Sequence, residues 1–276
     1  MTKNEVATPI TIIKLGGALI TDDSREFTAR PEIIENIAEQ LKEALLQTDR
    51  RIILIHGAGS FGHIYAAKYK LNHGYNAELS SGLVTTHDSM LELNQMIREI
   101  FAKKGLKLLQ FPPMTFCLMV NGRVASAFCQ PLEKALEFGY LPVLFGDVAF
   151  DMETGYKILS GDQLPSVLVN GIKGIARVIF LTNVDGVFDK HPGIFEDAHL
   201  YSEINANEIS SPASLFKSPI TTAGKTRVTG EMEKKVEELL PLAKAGIECW
   251  IINSKNNRLK ELLSKGSTLG TRIYRS

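Results

Sequence analysis

Residues 10–17 read ITIIKLGG, and residues 51–63 read RIILIHGAGSFGH. In both, a run of β-branched and apolar residues that does not alternate with polar ones ends in glycine. A strand apolar on both faces must be covered on both faces, which is the mark of a parallel sheet between helical layers. Working outward, Leu141 to Phe145, Arg177 to Thr182 and Cys249 to Ile252 are three more such runs. A helix is expected near Glu32 to Leu46. A second spans Leu83 to Phe101, where Met90, Leu93, Ile97, Ile100 and Phe101 recur at helical spacing. A third spans Gly230 to Ala245, with Met232, Val236, Leu239, Leu240 and Ala243 on one stripe. This alternation predicts an α/β fold: a three-layer α/β/α sandwich with a central, mostly parallel sheet. Two stretches break the rhythm. Ala149 to Leu159 predicts a hairpin turning at Glu153 to Gly155, and His191 to Thr226, rich in Pro, Ser, Asn and Thr, predicts a long excursion or lid.

The chain has 276 residues, with 31 basic and 31 acidic side chains. That length suits one large domain or two intimate lobes. The charge balance gives no bulk attraction for nucleic acid or an anionic membrane, so an anion site has to be built locally. Cys117, Cys129 and Cys249 are scattered without metal spacing, as in a reducing cytosol. Neither a signal-peptide pattern nor an apolar run near the roughly 20 residues of a membrane span is present. The expectation is a soluble, cytoplasmic protein.

Open parallel sheets bind ligands beyond the carboxyl ends of their strands. The first strand runs into Lys14-Leu15-Gly16-Gly17, the second into His56-Gly57-Ala58-Gly59-Ser60-Phe61-Gly62-His63. Glycine there lets backbone amides approach an oxyanion, and the following helix N-terminus favours negative charge. Plain strand-to-helix turns are the simpler alternative. Gly57 to Gly62 also satisfies G-x-G-x-x-G, with Glu78 about 20 residues on, as in a dinucleotide site. Against that, the motif follows the second strand, and no strand ends at Glu78. Ala223-Gly224-Lys225-Thr226 looks like the end of a Walker loop, but Pro219 stands where the first glycine is required.

Across nearly its whole length the chain resembles the amino-acid kinase family, and within it the family of isopentenyl phosphate kinases. The resemblance is carried by KLGG at Lys14 to Gly17, HGAGSFGH at His56 to His63 and LPVLFGDVAFD at Leu141 to Asp151. It continues with ILSGD at Ile158 to Asp162, TNVDGVFD at Thr182 to Asp189 and TGEMEKK at Thr229 to Lys235. It implies a single amino-acid-kinase domain, with residues 1–170 as phosphoryl-acceptor lobe and 171–276 as nucleotide-binding lobe. The implied reaction is ATP-dependent, with Mg2+, and converts isopentenyl phosphate to isopentenyl diphosphate in a homodimer. The implied roles are Lys14 on the transferring phosphate, His63 on the acceptor phosphate, and Gly16, Gly17, Gly57, Ala58, Gly59 and Gly62 around the phosphate groups. Gly161 and Asp162 would sit at the junction, Asp162 orienting Lys14. Thr182, Asn183, Asp185 and Gly186 would line the nucleotide site, with Gly230 and Lys235 on the ATP phosphates. No protein ligand set for a metal is read from the sequence.

Each residue has a plainer reading. His63 could only cap a helix start, Asp162 could be an N-cap, Asp185-Gly186 an ordinary turn, and Lys235 the partner of Glu231 four residues earlier. Met90, Leu93 and Ile97 suit a core as well as a pocket wall. Three positions depart from the family pattern: Asp23 stands where a second lysine is usual, Glu231 where a glycine is, and Arg227 where an aspartate is. Either Arg25 or Arg227 substitutes for the missing cation, or the enzyme is slow, or it has a different acceptor. Two further functions therefore stay open, a kinase for a small phosphonate such as fosfomycin and a ligand-binding protein without turnover.

Overall fold

The computed structural model describes residues 8–217 and 227–276. Twelve strands and eight helices follow in chain order among the described residues. The first half holds β1 (Ile10–Leu15), α1 (Gly17–Ile20), α2 (Pro31–Leu45), β2 (Arg51–His56), α3 (Gly59–Lys68), α4 (Ser81–Lys103), β3 (Leu108–Gln110), β4 (Cys117–Val120) and β5 (Arg123–Ala127). Then come α5 (Gln130–Glu137), β6 (Leu141–Phe145), β7 (Asp147–Asp151), β8 (Gly155–Leu159), α6 (Leu164–Gly171) and β9 (Ile175–Thr182). Last are β10 (Glu203–Asn205), α7 (Arg227–Lys244), β11 (Glu248–Asn253), α8 (Arg258–Lys265) and β12 (Thr271–Tyr274).

Eight strands form the central sheet in the order β10-β12-β11-β9-β1-β2-β6-β3. All its pairings are parallel except β11 with β12. The chain moves from β1 to β2 on one side and returns to β9 on the other, so the order reverses around β1 and opens a crevice at the strand tips.

Alternation along each strand divides the core in two. Ile10, Ile12, Ile53, Ile55, Val178 and Phe180 face a layer that includes Leu164 and Leu168 of α6 and Val236 and Leu239 of α7. Ile13, Leu15, Leu54, Ile179 and Leu181 face the layer of α2, α4 and α8, with Met90, Leu93 and Ile97 wholly buried there. These three are core, the plainer of their two readings. The parallel three-layer sandwich expected from the unalternating runs is what forms.

Other parts were not legible. A second sheet, β5-β4-β7-β8, extends the expected hairpin with two strands. The excursion from His191 is not simply a lid: Leu200 bridges back to Phe188, and β10 pairs in parallel with β12 as an edge strand of the main sheet. Residues 218–226 of that stretch, including Pro219 and the Walker-like Ala223 to Thr226, lie outside the described residues, as do the side chains of Arg227 and Thr229.

Candidate active site

Lys14 continues the Ile10–Ile12 row of β1, so its side chain runs toward the layer that holds α6 and α7. It is buried, with Nζ over the Phe180 ring at 5.5 Å from the centroid. Nζ lies 2.5 Å from Asp162 Oδ1, in the turn between β8 and α6. The other oxygen, Oδ2, is 3.5 Å from Lys235 Nζ of α7. One carboxylate thus spaces two ammonium groups at the crevice floor.

Burial pulls the Lys14 ammonium below the usual lysine range; Asp162 opposes that pull, Lys235 adds to it and Glu231 weakly opposes it. Burial alone would push Asp162 up, but Lys14 and Lys235 overcome it and hold the carboxyl below its usual range. The cluster carries two cations and one anion, so an incoming phosphate meets net positive charge. The surface pair between Lys235 and Glu231 is not formed: Glu231 offers Lys235 its main-chain oxygen, at 3.4 Å. Nor does Asp162 cap α6, since Gln163 stands at the N-cap position.

The glycine turns of β1 and β2 lean on each other. A Cβ on Gly17 would lie 2.4 Å from the Gly59 nitrogen, and one on Gly57 would lie 2.6 Å from the Gly17 nitrogen. Gly59 has φ +48°, a backbone that L side chains adopt at a cost. Gly16 packs under the Leu181 carbonyl, and Gly161 under the His56 carbonyl. Among the described residues the Ala58 and Gly59 amides find no acceptor, as expected of donors at a helix start. Among the described residues nothing crowds a Cβ built on Gly230 of α7.

The last two residues of the second glycine motif have different surroundings. Gly62 donates its amide to the Ala58 carbonyl and gives up its side-chain volume to Met90 of α4, so it serves helix packing. His63, next along α3, is exposed, with no hydrogen bond to the described residues. Glu78 sits exposed in a 3-10 turn, Ala77–Leu79, with no strand to present it to a ribose.

On the β9 side, Thr182 spends its hydroxyl on the Val184 carbonyl at 2.8 Å, and Asn183 is exposed. Asp185 is clamped by Arg258 at 2.6 Å and Asn253 at 3.0 Å; the Arg258 bond, ahead of the Asn253 bond, lowers its pKa. Gly186 leaves room for Thr271, which a Cβ would meet at 2.4 Å. This turn is braced from behind by Arg258, Asn253 and Thr271.

Asp23, one of the departures, is exposed on the turn after α1, accepting from Thr21 Oγ1 at 3.4 Å. Thr21 in turn receives the Ser60 amide at 3.0 Å, so a carboxylate stands beside the glycine turns. Arg25 is exposed on the same turn.

Sequence reasoning missed several polar groups. His56 is wholly buried, bonded to the Gly57 carbonyl at 3.0 Å and Asn94 at 3.3 Å, and stacked on Phe145. Burial pulls its pKa down to about 4. His87 of α4 bonds Asp147 of β7 at 2.7 Å. No spacing links these partners; they meet only once the second sheet is in place.

Fold and site define an α/β protein with two lysines, a carboxylate and paired glycine turns gathered at the switch point of its sheet. Residues 9–253 match the model of the amino acid kinase family, and the chain belongs to that family. Isopentenyl phosphate kinase of Methanothermobacter thermautotrophicus is 31% identical, over 95% of this chain and 98% of its own. That of Thermoplasma acidophilum is 30% identical, over 95% and 99%. A solved structure described as an X-ray structure of isopentenyl phosphate kinase superposes with a TM-score of 0.79 at 29% identity, covering 96% of this chain and 99% of that one.

Proposed function

We propose that this chain transfers the γ-phosphoryl group of ATP to isopentenyl phosphate, giving isopentenyl diphosphate and ADP. The observation that carries the reading is the Lys14–Asp162–Lys235 array beneath two abutting glycine turns, in a chain akin over almost its full length to isopentenyl phosphate kinases.

Two polyanions must meet end to end, so the main barrier is mutual repulsion. Lys14 and Lys235 neutralise the transferring group, and Asp162 keeps both ammoniums aimed at one place. The Ala58 and Gly59 amides, backed by the start of α3, donate between the two phosphates. Gly16, Gly17, Gly57 and Gly161 let the backbones come that close. His63 hydrogen-bonds the acceptor phosphate. An acceptor oxygen, already anionic because a phosphate monoester has its second pKa near 6, attacks phosphorus while the bond to the ADP oxygen breaks and ADP keeps the electron pair. No general base is needed.

Among the described residues no cluster of three or more His, Cys, Asp or Glu could cage a metal. We place Mg2+ on the ATP phosphates with its own waters, as suits a hard cation that dehydrates reluctantly. The turn from Thr182 to Gly186, Gly230 and Lys235 form the nucleotide side, within residues 171–276; the acceptor side lies within 1–170. A homodimer at work in the cytoplasm completes the reading; no helix among the described residues is long and apolar enough to cross a membrane.

For the branched tail there is a small apolar cluster: Leu71, Val148 and Tyr156, with Ala66, Tyr69, Leu83, Met114 and Ile158 packed against them. Only the first turn of the α4 stretch contributes, through Leu83. A greasy neighbour suits an isoprenoid ester better than a small polar phosphonate, and the named relatives give the phosphonate reading no support.

The test is to incubate the protein with Mg-ATP and a panel of small phosphates and phosphonates, following ADP release and product phosphorus resonances. Isopentenyl phosphate should be turned over to the diphosphate. Selective use of a phosphonate, or ATP binding with no turnover of any acceptor, would overturn the reading.

A further inference from the structure

His87 and Asp147 form a pair to which nothing in the reaction scheme above gives a task. Asp147 opens β7 directly after Gly146, and Gly146 abuts Gly161, the neighbour of Asp162; a Cβ on Gly146 would stand 2.9 Å from the Gly161 nitrogen. The Asp147 side chain is wholly buried, and it accepts His87 Nδ1 at 2.7 Å while its other oxygen accepts the Val148 amide at 2.8 Å. His87 itself keeps 19% of its side-chain surface open. With Nδ1 committed to the carboxylate, the ring edge left for a ligand is Nε2.

Helical spacing says where that edge belongs. Ala66 of α3 and Leu83 of α4 pack into the same apolar cluster. His63 lies three residues before Ala66, and His87 four residues after Leu83, so each imidazole is a turn away from the cluster on its own helix and on the same stripe. The two helices are locked in that register: Ser89 Oγ donates to the Phe61 carbonyl at 2.9 Å, and Met90 fills the notch left by Gly62. Both imidazoles therefore border the sheet end of the cluster, where the acceptor's phosphate has to emerge from its tail.

We propose that His87, oriented by Asp147, is a second hydrogen-bond donor to the acceptor phosphate, opposite His63. The inference rests on the proposed acceptor chemistry. A buried carboxylate behind an imidazole fixes its tautomer and favours its charged form. The bond to Asp147, with the charge of Asp88 adding to it, raises the His87 pKa against the opposing pull of burial, and burial raises that of Asp147. With Nδ1 donating to Asp147, the protonated ring has Nε2–H as its one remaining donor.

Histidine-selective nitrogen NMR tests this without needing turnover. In protein loaded with ADP, isopentenyl phosphate or, separately, inorganic phosphate is titrated in, with His87 assigned by His87→Asn. The Nε2 resonances of His63 and His87 should both move, and that of His87 Nδ1 should stay. If His63 responds and His87 does not, the His87 proposal fails while the kinase reading stands; if neither responds, both fail. Kinetically, with whichever phosphomonoester the enzyme uses, His87→Asn should raise the acceptor KM by about 10- to 100-fold, the range for a lost bond to a charged group. The ATP KM should hold. Asp147→Asn should give part of that loss, and the double variant little more than His87→Asn alone, because the pair acts as a unit. Equal changes in both KM values, or additive losses, would overturn it.

Discussion

Asp162 Oδ1 stands 2.5 Å from Lys14 Nζ, while its other oxygen reaches Lys235 from a different layer of the molecule. The carboxylate is a spacer that keeps two mutually repelling ammoniums converged. Asp162→Asn should therefore lower kcat by about 100-fold or more, the scale seen when one stabilising donor is lost. It also leaves Lys14 charged and buried, which should cost about 3 kcal/mol or more in urea unfolding, as for a broken buried pair. Retained kcat would show that the spacing is idle.

The buried ring of His56 makes stability fall on mild acidification. Its folded pKa, about 4, is below the unfolded value of 6.5, so between those values the unfolded chain binds more protons. Stability from this group is full above pH 6.5 and should drop by about 2 kcal/mol between pH 7 and pH 5. His87 works in the opposite sense, its raised pKa adding stability below pH 6.5 that is lost as pH rises. The comparison should thus be made between wild type and His56→Asn: the variant should show a shallower loss over this window. An unchanged slope would contradict the assignment.

Gly59→Ala should be far worse than its size suggests. The new Cβ would lie 1.9 Å from Thr21 Oγ1 and 2.9 Å from the Gly17 carbonyl, at φ +48°. Left-handed backbone costs only about 1–2 kcal/mol by itself. Gly105→Ala, also at positive φ but with open space around it, isolates that part. Thermal unfolding should show the first variant losing clearly more than the second, and also losing activity.

Glu231 adds negative charge near Lys14, on the path proposed for the ATP phosphates. Glu231→Gln should lower the ATP KM by up to about fivefold, the range for an exposed charge, and less at high salt. A raised KM would mean that Glu231 helps bind the nucleotide.

What could be read from the chain alone follows from what leaves a local trace. Unalternating runs ending in glycine gave β1, β2 and β6 at their true limits, because a doubly buried strand has no other way to be written. Lys14, Asp162 and Lys235 could be gathered only through the family motifs; nothing local ties Asp162 to a lysine 148 positions earlier. His87 was passed over for the same reason. Its partner sits 60 residues away, on a strand whose neighbours β4 and β8 are short and only partly buried. The excursion after His191 misled because β10 is three residues long, too short for any period to show.

In the proposed reaction the donor-side lysines reach the crevice from the α6–α7 half of the sandwich and the acceptor-side imidazoles from the α3–α4 half, so they meet only over the strand tips. Selection can then retarget the molecule in one half without retuning the other. Grafting a new α3–α4 pair and β7–β8 hairpin should change which ester is taken up, while the handling of the nucleotide carries over intact.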